Sequence, residues 1–79
     1  MNFGIIDIQK VGEHDGKVAY AFHHKGKAGT FFIDSATGEL SGLSFSKESA
    51  EAAAGAAAQS KVQRAWKDGG LPEKLKWIG

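Results

Sequence analysis

Lys17-Val18-Ala19-Tyr20-Ala21-Phe22-His23-His24-Lys25-Gly26-Lys27-Ala28-Gly29-Thr30-Phe31-Phe32-Ile33-Asp34 is the stretch on which the fold turns. Two runs rich in β-branched and aromatic residues flank Lys25-Gly26, the pattern of two strands joined by a short loop. A two-residue hairpin loop fixes the register. Val18 then faces Ile33, Tyr20 faces Phe31 and Phe22 faces Gly29, all on one side of the ribbon. On the other side Lys17 meets Asp34, Ala19 meets Phe32, Ala21 meets Thr30 and His23 meets Ala28. Apolar groups gather on the first face, and on the second opposite charges pair without adjustment.

Working outward, the upstream turn is Glu13-His14-Asp15-Gly16-Lys17. A two-residue Asp15-Gly16 loop would put Glu13, Val11, Gln9 and Asp7 toward the core. A three-residue loop with Gly16 left-handed in a bulge sets Ile8 opposite Phe22 and Ile6 opposite His24. The second is expected, because burying Ile6 and Ile8 is worth about 1.5–3 kcal/mol each. It leaves Lys10 opposite Tyr20, reaching out from the sheet edge. Downstream, Asp34-Ser35-Ala36-Thr37-Gly38-Glu39 suits a type I turn closed by a left-handed residue, which brings Leu40 opposite Ile33. Leu43 and Phe45 have the wrong parity to follow Leu40, so a bulge is expected near Ser41-Gly42.

Residues 50–58 read AEAAAGAAA, a strongly helix-forming composition. Ser46 is the expected N-cap, with Glu48 in the first turn, where the dipole favours a carboxylate. The helix should run from Lys47 to Lys67 and stop at Gly69-Gly70. Its periodicity puts Ala54, Gly55, Ala58, Val62 and Ala65 on one side, with Ala50 and Trp66 at the margins. Ala56, Gln59, Ser60, Gln63 and Lys67 lie away from it. Leu71-Pro72-Glu73-Lys74-Leu75 reads as a turn, after which Leu75, Trp77 and Ile78 fold back on the domain edge.

The expected architecture is therefore a single α+β domain over residues 1–79: an antiparallel meander of three or four strands (1–46), one long C-terminal helix across one sheet face (47–68), and a tail packing back (69–79). A chain of 79 residues has room for one such domain. It has no cysteine, which excludes a disulfide framework and thiolate metal sites. No run of about 18 apolar residues exists to span a membrane. The segment MNFGIIDIQK has no basic stretch leading into an apolar one, so a cytoplasmic protein is expected. A net charge of +1 points to no acidic or nucleic-acid partner.

The chemistry-bearing residues do not converge. His23 and His24 are neighbours in a strand and point to opposite faces, and His14 sits in a turn, so three convergent metal ligands are not assembled. Asp7 faces His23, the base-and-orienter half of many catalytic sites, yet Thr30 and Ser41 lie one or two strands away and no activated-serine context is present. Gly26–Thr30 (GKAGT) is a hairpin tip rather than a strand-to-helix phosphate loop. No catalytic residue, metal, cofactor or small-molecule ligand is indicated.

Two segments resemble parts of known families. Phe45-Ser46-Lys47-Glu48-Ser49-Ala50-Glu51-Ala52-Ala53 is similar to the helix start in integrase-arm DNA-binding domains, which have three antiparallel strands before that helix. The resemblance implies a nucleic-acid-binding accessory domain. The sheet departs from it by offering Ala19, Ala21, Thr30 and Phe32 where such domains present arginines to bases, and Arg64, the only arginine, is on the helix. Ile33-Asp34-Ser35-Ala36-Thr37-Gly38-Glu39-Leu40 looks like the V-D-x-x-T-G-x-V turn of PepSY-type domains, which implies a small non-catalytic binding or regulatory module. That family carries a helix before its strands, whereas this sequence opens directly on a strand and puts its helix afterwards.

The expected function is non-catalytic binding or self-association. One helix covers one sheet face, leaving Ile5, Val11, Ala19, Ala21, Thr30 and Phe32 on the other. That face is the expected interface of a homodimer or a protein partner; the competing expectation is that Leu75, Trp77 and Ile78 cover it. The helix phase has a direct test. Ala58→Leu should destabilise the protein by about 1–3 kcal/mol through overpacking, whereas Ala56→Leu should be near neutral in urea denaturation. Equal effects would show the phase to be wrong.

Overall fold

The computed structural model describes residues 5–24, 27–45 and 52–78. Strands β1 (Ile5–His14), β2 (Lys17–His24), β3 (Lys27–Asp34) and β4 (Leu40–Phe45) are followed by helix α1 (Ala52–Lys67) and strand β5 (Lys74–Ile78). All five strands form one antiparallel sheet in the order β4-β3-β2-β1-β5. The α+β class stands. Two details of the expected architecture are corrected: the sheet has five strands, and the helix is followed by a strand rather than ending the fold.

The central hairpin has the expected register throughout, from Lys17 opposite Asp34 to His24 opposite Lys27. Its loop, Lys25-Gly26, lies outside the described residues, as do Ser46 and Glu48 at the expected helix start. Phe22 faces Gly29 because nothing larger fits there. A Cβ on Gly29 would stand 2.5 Å from Phe22 Cζ and 2.6 Å from the Ser44 carbonyl oxygen.

The first hairpin reaches the expected pairing by another route. Asp15 and Gly16 have φ of 52° and 78°, so the loop has two residues with both central positions left-handed, the geometry that Asp-Gly favours. His14 therefore faces Lys17. A bulge between Lys10 and Gly12 then shifts the register by one residue and sets Lys10 opposite Tyr20, Ile8 opposite Phe22 and Asp7 opposite His23. The three-residue loop is thus wrong, and the extra residue sits in the strand. The expected bulge in β4 is present: pairing slips between Phe32–Ser41 and Thr30–Ser44, and Gly42 has φ of 67°.

The core lies between sheet and helix. Ile6, Ile8, Val18, Tyr20, Phe22, Phe31 and Ile33 from the sheet meet Ala54, Ala58 and Val62 from α1, all buried. Ala56 is exposed, as the helical phase requires. The Phe31 ring lies between those of Tyr20 and Phe22, at 6.1 Å from each. His24 is also buried, at the end of β2. The helix ends in a Schellman motif: the Gly70 amide donates to the Ala65 carbonyl and the Gly69 amide to the Trp66 carbonyl, with Gly69 left-handed. Its last turns are tied to the β3–β4 loop. Trp66 Nε1 donates to the Ser35 carbonyl at 2.9 Å, and Gln63 Nε2 donates to the Gly38 carbonyl at 2.9 Å. No described helix is long and apolar enough to cross a membrane.

β5 pairs with β1 from Ile5–Ile78 to Gln9–Lys74. The expected turn over 71–75 is therefore replaced, from Lys74 onward, by a strand. The Lys10 amide donates to the Glu73 carbonyl at 2.8 Å, and the buried Tyr20 hydroxyl donates to the Pro72 carbonyl at 2.7 Å. Burial, reinforced by the Glu73 carboxylate, pushes the Tyr20 phenol up to about 12 from 10.0. Because the folded value is raised, this contribution to stability is complete below pH 10.0 and is lost as pH rises toward about 12. Tyr20→Phe should lower stability at pH 8 by about 0.5–1.5 kcal/mol and remove part of the decline between pH 10 and 12. Denaturation of both proteins across that range checks it; identical alkaline profiles would refute it.

Candidate functional site

The face of the sheet away from α1 is the candidate site, and the strand registers lay it out row by row. At one end Ile78 of β5 stands beside Ile5 of β1. The next row runs Lys76, Asp7, His23, Ala28 from β5 to β3. Below it lie Lys74, Gln9, Ala21, Thr30 and Ser44, and below that Gly12, Ala19, Phe32 and Ser41, with Val11 in the bulge beside Gly12. Alternation in the strands puts these side chains opposite the buried set.

All six residues expected at a binding face are accounted for. Ile5 is 51% exposed, Val11 58% and Phe32 37%. Thr30 is exposed, while Ala19 and Ala21 are half-buried because small side chains sink between larger neighbours. The large apolar groups do not form one contiguous patch, however. Ile5 and Ile78 lie at one end, Val11 and Phe32 toward the other, and the two charged or polar rows run between them. Phe32 leans on its neighbour strand: a Cβ on Gly42 would come within 2.8 Å of its ring.

The C-terminal segment does not cover this face. Leu75 and Trp77 are half-buried against the core, on the helix side, and Ile78 is 72% exposed. β5 adds Lys74, Lys76 and Ile78 to the open face, none of which was among the expected site residues. Their signal is in the sequence: Lys-Leu-Lys-Trp-Ile alternates with period two, as a half-buried strand does.

A groove of about 430 Å³ opens on this face, with Ala21 and Ala28 low in its floor and Asp7, His23, Gln9, Lys74 and Lys76 around it. Asp7 faces both His23 and Lys76, its carboxylate 3.9 Å from Lys76 Nζ. The Thr30 and Ser44 hydroxyls lie 3.2 Å apart, bonded to each other across β3 and β4. Among the described residues no three His, Asp or Glu side chains cluster to hold a metal.

Comparison with protein-family models, with curated proteins and with solved structures finds no match to this chain. The geometry of the open face is therefore the basis for its functional reading. Asp7 and Lys76 are both well exposed, and exposed pairs contribute about 0–1 kcal/mol. Asp7→Asn should leave the unfolding free energy within about 1 kcal/mol of wild type; a larger loss in urea denaturation would mean that Asp7 supports the fold and is not a free surface group.

Proposed function

We propose that this protein is a non-catalytic binding module that self-associates through the open face of its sheet. One observation carries the reading. A single helix covers one face of a five-stranded sheet, while the other holds Phe32, Val11, Ile5 and Ile78 in water over a floor of alanines. Phe32 and Val11 toward one end and Ile5 and Ile78 at the other leave two apolar areas on this face for a contact to cover. A two-fold dimer needs only one self-complementary surface to cover them. The polar rows between the apolar ends suit an interface with a mixed character. The Asp7–His23 pair does not alter this reading, since the nearest hydroxyls on the face, Thr30 and Ser44, are bonded to each other.

A second reading, a nucleic-acid-binding accessory domain, is favoured by one feature. Lys74 and Lys76 project from the same strand onto the same face, a pair of exposed cations on one surface. Asp7 beside Lys76 offsets one of those charges. Sedimentation of wild type against Phe32→Lys tests the first reading. Wild type should sediment as a dimer and the variant as a folded monomer. A wild type that remains monomeric at near-millimolar concentration overturns it. Amide shifts on adding duplex DNA, reversed by salt, would support the second.

A further inference from the structure

We propose that the outer edge of β5 receives an extended segment of another protein in which acidic and apolar residues alternate, added antiparallel to the sheet as a further strand. This contact uses the edge of the sheet and does not depend on self-association through its face. Among the described residues β5 is the last strand on its side, paired with β1 along its inner edge.

The ladder between β1 and β5 fixes which backbone groups face outward. The Lys10 amide donates to the Glu73 carbonyl, one step beyond the Gln9–Lys74 pair in the same register. In an antiparallel ladder, residue pairs that exchange hydrogen bonds alternate with pairs that do not. Lys10–Glu73, Ile8–Leu75 and Ile6–Trp77 are therefore the bonded pairs. Gln9–Lys74 and Asp7–Lys76 lie between them, so the amides and carbonyls of Lys74 and Lys76 point away from β1. The same two residues carry the cations of the strand, both exposed. Outward backbone and charge thus mark the same positions.

A strand added here exchanges its hydrogen bonds with Lys74 and Lys76. Residues directly opposite them stand about 5.5 Å away between Cα atoms, with side chains on the face that holds the ammonium groups. Within the sheet those groups are weakly compensated. Lys74 faces Gln9, which is uncharged, and Lys76 Nζ is 3.9 Å from the Asp7 carboxylate, a long contact for an ion pair. Carboxylates opposite both lysines complete two cross-strand ion pairs. Leu75 and Trp77 lie half-buried on the helix side, at the margin of the core. Apolar residues opposite them extend that core outward. Lysines at alternate positions turn away neutral and basic strands, and carboxylates on the incoming strand convert that barrier into selection. Backbone bonds supply the affinity and alternate side chains the discrimination, as strand addition generally requires.

Isotope-labelled protein should be titrated with a short capped peptide in which glutamate and valine alternate, and separately with one of the same composition whose glutamates form a single block. The alternating peptide should shift the Lys74 and Lys76 amides downfield and slow their hydrogen exchange. The Leu75 and Trp77 amides, bonded to β1 already, should change less. Binding of the blocked peptide should be weaker by about tenfold or more, and the double variant Lys74→Glu, Lys76→Glu should lose as much for the alternating peptide. Circular dichroism checks that this variant is folded; if it is not, Lys74→Gln with Lys76→Gln replaces it and should still weaken binding. Asp7→Asn, which frees Lys76 from its neighbour, should tighten binding. Equal binding of the two peptides reveals attraction by bulk charge alone and overturns the proposal. So does failure of the alternating peptide to bind at millimolar concentration, or a shift pattern confined to β4 or to the open face. Sedimentation of the wild type decides the self-association separately, so either reading can fail while the other stands.

Discussion

The fit between large side chains on the sheet and small ones on the helix organises the molecule. Tyr20, Phe22 and Phe31 fill the space above β2 and β3, so a helix can lie over them only if its contact stripe is thin. Ala54, Gly55 and Ala58 provide that stripe, all buried. Gly29 extends the same logic within the sheet, leaving the place that Phe22 occupies. Close packing at native density results from this division of volume. The helix need supply little bulk of its own beyond Val62 and the half-buried Trp66.

Polar links then fix the seat of the helix and the path of the chain beyond it. Trp66 and Gln63 bind the β3–β4 loop, and Ser35 of that loop bonds through its amide and hydroxyl to the Gly16 carbonyl, joining the two turns at one end of the sheet. Tyr20 bonds to Pro72 from below, just before β5 begins. The sheet edges are managed as well. β5 carries lysines at alternate positions and β4 is interrupted by its bulge, both of which discourage further strand addition.

The central hairpin was legible because its loop and its parity agree: one register buries Tyr20, Phe22 and Phe31 on one face and pairs Lys17 with Asp34. The small-residue stripe of the helix was legible from its period, and Gly69-Gly70 from the cap. The first turn was misread for a definite reason. A three-residue loop and a two-residue loop followed by a one-residue bulge bring Ile8 opposite Phe22 alike, and only the backbone at Asp15 separates them. β5 was hidden by Pro72 and the glycines before it, which advertise a turn, although the alternation of Lys74 to Ile78 was in view. Missing that strand also meant missing that Lys74 and Lys76 stand on the open face.

The pairing of Ile5 with Ile78 has a consequence for the nascent chain. The innermost hairpins of the meander can close as soon as they leave the ribosome, since their contacts are local. β1 differs: its outer edge stays vacant until the helix has been made and the strand beyond it has emerged. During translation the backbone groups beside Ile6 and Ile8 thus remain open to any extended segment nearby. A neighbouring chain on the same polysome offers such a segment, so the fold is exposed to mispairing from the closing of the β1–β2 hairpin until Ile78 has emerged.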